Sequence, residues 1–149
     1  MPDFLQFSVD KFTFKVAADR SYSPEGLWAL PEGDRVRLGL SDFLQQHSGD
    51  VAFAELKPAG TRLATGDELA VIETIKVNLS LASPISGEVL EVNPVMASRP
   101  EAINQDPYGD GWLVIVAPDD WEAERARLLD PEAYLAKAKR EAEEEAGSK

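Results

Sequence analysis

Lys76 is the residue whose type and setting most invite chemistry. It lies between Ile75 and Val77 in the segment Thr74-Ile75-Lys76-Val77, where a hairpin should turn. None of the Gly, Asn or Asp residues that usually make tight turns is present there. Glu73 is the one ion partner close by in sequence. Apolar residues beside a charged tip are wasteful on a solvated loop, and they make sense if the lysine must be recognised or covered. The plainer alternative is a surface lysine in an ordinary hairpin. Other candidates carry less. His47 is the only histidine; a general base needs a partner that the sequence does not show, so it reads as a loop residue. Asp50, Glu55, Glu73 and Glu88 lack the spacing of an acid/base pair or a metal cluster, and read as solvated strand edges. Asn78-Leu79-Ser80 matches a glycosylation sequon without a secretory context. With no cysteine in the chain, disulfides, thiolate zinc sites and cysteine nucleophiles are excluded.

The elements that must position Lys76 are mostly short strands. Phe12, Phe14 and Val16 alternate with Thr13 and Lys15, the period of a half-buried strand. A loop is expected over 17–26, a short strand over 27–30 and a turn at Pro31-Glu32-Gly33-Asp34. Val36, Leu38 and Leu40 then alternate with polar or small residues. Ser41 is placed to cap a helical turn that runs to His47. Strands over 51–56, 68–74, 78–82, 88–92 and 113–116, broken by Gly and Pro turns, indicate a sandwich or barrel. Gly60, Gly66 and Gly87 read as turn glycines, and Trp112 as a core residue.

After Pro118 the composition shifts to Ala, Glu, Lys and Arg, which favour helix. Asp119-Asp120-Trp121-Glu122 has capping-box spacing with Asp119 as the N-cap. Asp130-Pro131 reads as a second helix start. Trp121, Leu128, Leu129, Tyr134 and Leu135 are too few for a separate core, so these helices should pack on the β-body and end in a frayed, charged stretch. The expected division is 1–118 as the β-domain and 119–149 as a helical extension packed on it.

The net charge of −12 over 149 residues argues against a nucleic-acid partner, which would require a basic surface. No apolar run reaches the roughly 18–20 residues that span a bilayer. The start lacks a basic segment followed by an apolar one, so a cytoplasmic protein is expected.

Glu73-Thr74-Ile75-Lys76, followed by Leu81-Ala82-Ser83-Pro84-Ile85-Ser86-Gly87-Glu88-Val89, resembles the modification loop of the glycine cleavage system H protein family. Gly39-Leu40-Ser41-Asp42-Phe43, the run from Gly49-Asp50-Val51 to Leu56, Gly60, Gly66-Asp67-Glu68 and Asn104-Gln105-Asp106-Pro107-Tyr108-Gly109-Asp110-Gly111-Trp112-Leu113 extend the likeness. It implies a mainly β, barrel-sandwich hybrid fold of the lipoyl/biotinyl type. It also implies a carrier rather than an enzyme, with lipoic acid covalently attached to Lys76 as a swinging arm. Glu73, Thr74, Ile75 and Val77 would form the recognition loop. Biotinyl carriers instead present Met-Lys-Met, and lipoyl domains of 2-oxoacid dehydrogenases Asp-Lys-Ala.

The likeness breaks at Gly26-Leu27, where the family has His-Glu before the tryptophan that Trp28 matches. It breaks again at Val77-Asn78, Ser80 and Ala82, and the N-terminal lead and C-terminal tail are longer. In these respects the chain is similar to the H-protein-like lipoate-binding branch associated with bacterial sulfur oxidation. That likeness implies an arm serving a heterodisulfide-reductase-like complex. The alternative it leaves is the glycine cleavage pathway, with its P, T and L proteins as partners. Either reading requires a lipoate ligase or lipoyl transferase. An unmodified interaction module is the third possibility.

Overall fold

The computed structural model describes residues 3–147. The alternation read over residues 12–16 does form a strand, but it is the second arm of a hairpin. Strands β1 (Phe4–Val9) and β2 (Phe12–Ala17) pair antiparallel around Asp10, which turns with φ 55°. The first arm was not legible because only Phe7 of its side chains is buried. The expected loop over 17–26 contains the short strand β3 (Ser21–Tyr22).

The body is mainly β, a sandwich without a closed barrel among the described residues. One sheet of six strands runs β3, β4 (Leu27–Glu32), β5 (Arg35–Leu40), β11 (Val114–Pro118), β10 (Gly87–Val92) and β7 (Arg62–Leu63). The other has three, β6 (Val51–Leu56), β8 (Glu68–Thr74) and β9 (Asn78–Ala82). Leu27, Leu38 and Leu40 of the first sheet and Leu69, Ile72 and Leu81 of the second share one core. Removing these faces from water is the main stabilising contribution to the body.

Helix α1 (Asp42–Ser48) starts where expected: the Ser41 hydroxyl accepts the Leu44 N–H at 3.2 Å. His47 is therefore in the last turn of a helix and not in a loop. The stretch between β10 and β11 is not all strand and turn, since it holds helices α2 (Val95–Ser98) and α3 (Ala102–Gln105). Both are single turns without side-chain caps, which leaves little periodic signal.

Helix α4 (Trp121–Arg125) is capped by Asp120 and not Asp119; the Asp120 carboxylate accepts the Ala123 N–H. Helix α5 (Pro131–Gly147) begins with Asp130 accepting the Ala133 N–H at 2.7 Å. Its charged end is helical through Gly147 and not frayed, with His47 Nδ1 2.8 Å from Glu145 Oε2. Tyr134 anchors α5 by stacking on Tyr22 at 4.5 Å and hydrogen bonding Ser41 at 2.7 Å. Together with Phe7, Phe14, Val16, Trp28 and Phe43 it forms a second core, which joins the hairpin and α5 to the body.

Candidate functional site

Lys76 sits in the connection between β8 and β9, and one side chain builds that turn. The Thr74 hydroxyl accepts the Lys76 N–H at 3.1 Å and the Val77 N–H at 3.0 Å. A threonine oxygen can thus replace the backbone conformation that Gly or Asn would have supplied. The Thr74 N–H donates to the Val77 carbonyl at 2.9 Å and closes the loop.

The loop is also anchored to the end of α1. The Thr74 hydroxyl donates to the Ser48 carbonyl at 2.8 Å, and the Ile75 N–H donates to the Asp50 carbonyl at 3.0 Å. Asn104 fixes that anchor from behind. Its side chain accepts the Val51 N–H at 2.8 Å and donates to the Gly49 carbonyl at 3.1 Å and to Gln45 at 3.0 Å. Ser48, Gly49, Asp50 and Asn104 were not read as positioning residues. Their roles depend on contacts between segments far apart in sequence, although Gly49, Asp50 and Asn104 lie in segments that carry the family likeness.

The ammonium of Lys76 does not pair with Glu73. Its Nζ donates to the His47 carbonyl at 3.0 Å, among the carbonyls that the last turn of α1 leaves without helical partners. A cation is favoured at this negative end of the helix. Gly49 makes the path possible: a Cβ there would lie 3.1 Å from Lys76 Cδ, and its φ is +94°. Glu73 stays in the β8–β9 ladder opposite Asn78. Ile75 and Val77 are exposed at 74% and 43%, so the apolar flanks do face solvent. Phe53, paired across the sheet with Glu73, adds a third exposed apolar side chain.

The remaining candidates stand apart from this loop. Among the described residues no group of three or more His, Asp or Glu side chains could hold a metal ion. Trp112 is half-buried under the Arg37 guanidinium, 4.8 Å from its ring. Trp28 is the fully buried one; its indole N–H donates to the Pro107 carbonyl at 2.9 Å. Burial raises Tyr22, Tyr108 and Tyr134 above the ordinary phenol range, Tyr108 to about 12. No helix of the described residues is long and apolar enough to cross a membrane.

A family model described as glycine cleavage H-protein matches residues 20–141. The chain belongs to the glycine cleavage H-protein family. It is 40% identical over 119 residues to the glycine cleavage system H protein of a Thermus thermophilus strain, covering 80% of this chain and 92% of that one. The probable glycine cleavage system H protein of Natronomonas pharaonis is 44% identical over 126 residues, covering 83% and 97%. The crystal structure of a glycine cleavage system H protein from Mycobacterium marinum superposes with a TM-score of 0.74 at 30% identity, covering 82% and 98%. None of these relatives is named for sulfur oxidation, so the branch expected from the departures at Gly26-Leu27 and in the loop gains no support.

H-family proteins are carriers and not catalysts, and lipoic acid attached covalently to a lysine is their cofactor. The Lys76 loop fits such a group. The lysine is exposed, it has no ion pair among the described residues, and its amine meets a single backbone carbonyl. An amide at Nζ would keep one N–H for that carbonyl while giving up the charge.

Proposed function

We propose that the chain is a lipoate-binding H protein of the glycine cleavage system, working in the cytoplasm with a lipoyl arm on Lys76. Residues 1–118 serve as the carrier domain and 119–149 as an extension. The observation that carries this reading is the presentation of Lys76 on a loop tied at three backbone points, in a chain that spans nearly the whole of its H-protein relatives. The dithiolane supplies thiol–disulfide chemistry that a chain without cysteine cannot supply itself.

The residues of the chain present the arm and do not act on it. Thr74 and the 48–50 turn hold the lysine in one place. Ile75 and Val77 give a modifying enzyme, whether a lipoate ligase or a lipoyl transferase, an apolar surface on either side of its target. The P, T and L proteins are then the partners between which an aminomethyl group is carried. The names of the H-protein relatives favour this pathway over a heterodisulfide-reductase-like complex.

Expression with a lipoate ligase followed by intact-mass measurement tests the attachment. One lipoyl adduct is expected on the native protein and none on Lys76→Ala. No adduct on the native protein would leave the unmodified interaction module standing. An adduct that survives Lys76→Ala would move the site elsewhere. The pathway has its own assay, glycine–bicarbonate exchange with a pyridoxal-dependent decarboxylase. The lipoylated protein should support exchange, and failure to do so would return the sulfur reading.

A further inference from the structure

His47 and Lys76 are two basic side chains at one end of α1, and they stand in acidic surroundings. The Lys76 ammonium donates to the His47 carbonyl at 3.0 Å, and His47 Nδ1 lies 2.8 Å from Glu145 Oε2 of α5. Two grooves border the imidazole. The other ionisable groups lining them are Asp10 of the hairpin turn, Glu25, Glu141, Glu144 and Glu145, and Lys76 is the one cation among these described residues. Phe43, one turn earlier on α1, stacks on the imidazole at 5.8 Å and holds its plane. The last turn of α5 has no basic residue, and Glu143, Glu144 and Glu145 crowd the negative end of that helix. A cation from another element steadies such an end, and His47 is placed to be one.

We propose that α1 and α5 read out the charge on Lys76: acylation of Nζ leaves His47 to carry the positive charge at the end of α1 and tightens its pairing with Glu145, so that the end of α5 is held more firmly in the modified protein. The inference rests on Lys76 being the attachment site. When Nζ takes the acyl group of an activated lipoyl donor, the amide bond forms, the donor's leaving group departs and the ammonium gives up two protons. Before that step, a charge on Lys76 and a charge on the imidazole compete for the same helix end and the same carboxylates. After it, the competitor is gone and the five carboxylates face His47 alone.

A neighbouring like charge disfavours protonation, so its removal favours the imidazolium form at a given pH. Both side chains of the His47–Glu145 pair are about half exposed, at 49% and 50%, so solvent limits the effect. Charges in such settings should shift the imidazolium-to-imidazole ratio by about two- to fivefold. Residues 142–147 of α5 lie past the end of the family match at 141, so the turn that responds is one this chain adds. A partner meeting that turn would find it firmer on a loaded carrier than on an empty one, without touching the arm.

The test uses the full chain, unmodified and lipoylated, with one adduct confirmed by intact mass and abolished by Lys76→Ala. Imidazole nitrogen-15 shifts at pH 7 give the imidazolium-to-imidazole ratio, and amide exchange over residues 143–147 gives the hold on α5. Lipoylation should raise the ratio about two- to fivefold and slow the exchange. Lys76→Gln removes the charge without an acyl group and should reproduce both changes, whereas Lys76→Arg keeps the charge and should match the unmodified protein. In His47→Gln, lipoylation should leave exchange at the end of α5 as it was. A confirmed adduct with an unchanged ratio, slowing that persists in His47→Gln, or a Lys76→Gln protein that behaves as Lys76→Arg would overturn the coupling and leave the attachment intact. A response in Lys76→Gln with no adduct on the native protein would uphold the coupling and overturn the attachment.

Discussion

Thr74→Val is the sharpest probe of the site, because it keeps the shape of one side chain and removes its hydroxyl. Its hydrogen bonds go with it: those accepted from the Lys76 and Val77 N–H groups, and the one its proton makes to the Ser48 carbonyl at 2.8 Å, with the Val77 carbonyl a second acceptor at 3.0 Å. The two N–H groups belong to exposed residues and can turn to water, so each costs about 0.5 kcal/mol. The Ser48 carbonyl belongs to a buried residue, and losing its donor costs about 1–2 kcal/mol. The sum is a loss of about 2–3 kcal/mol. Urea unfolding should show it as a lower midpoint at unchanged slope. The loop would then spend less time in the native turn. If about 1 kcal/mol is needed to regain it, the initial lipoylation rate followed by intact mass should fall about fivefold. Thr74→Ser keeps the oxygen and should recover most of both losses. A Thr74→Val protein with native stability and rate, or a Thr74→Ser protein as impaired as Thr74→Val, would refute the reasoning.

Two further outcomes follow from the same geometry. Gly49→Ala places a methyl 3.1 Å from Lys76 Cδ at a φ of +94°; it should cost about 1 kcal/mol or more of stability and slow lipoylation, both measurable as for Thr74. The three tyrosines of the chain should resist ionisation. Their phenol pKa values are raised by folding, so the native state holds its protons more tightly than the unfolded state does. The stability they contribute is complete below about pH 10, the ordinary phenol value. It is lost as pH rises, through about 12 for Tyr108. Phenolate absorbance should therefore appear together with alkaline unfolding, and a native-state titration near pH 10 would count against the packing of α5.

Much of the body was legible because its signals are local. The period-two runs in β2 and β5 and the Ser41 and Asp130 caps each depend on neighbours along the chain. What was missed depends on distance. Strand β1 shows little alternation, since it packs against aromatic rings from β2 and α1. The capping choice between Asp119 and Asp120 went wrong by one residue, because both carboxylates precede the same helix. At the site, Lys76 stood out from its flanks. Its tie to His47, instead of Glu73, required knowing that α1 ends beside the hairpin.

That tie bears on how a carrier of this kind divides its stiffness. Binding an arm to a floppy loop would let the attachment point wander, and each partner would then have to gather both loop and arm. Here the loop is hydrogen bonded at Thr74 and Ile75 to the 48–50 turn, and Asn104 braces that turn against α3. The backbone under Lys76 is thereby fixed by the turn after α1 and, through it, by α3, while its side chain has one hydrogen bond, to the His47 carbonyl. Acylation removes the charge that favours this helix end. The modified side chain is then held less firmly at its base than the free lysine, although its loop is as rigid as before. Freedom is confined to the arm, which is where delivery to several active sites requires it.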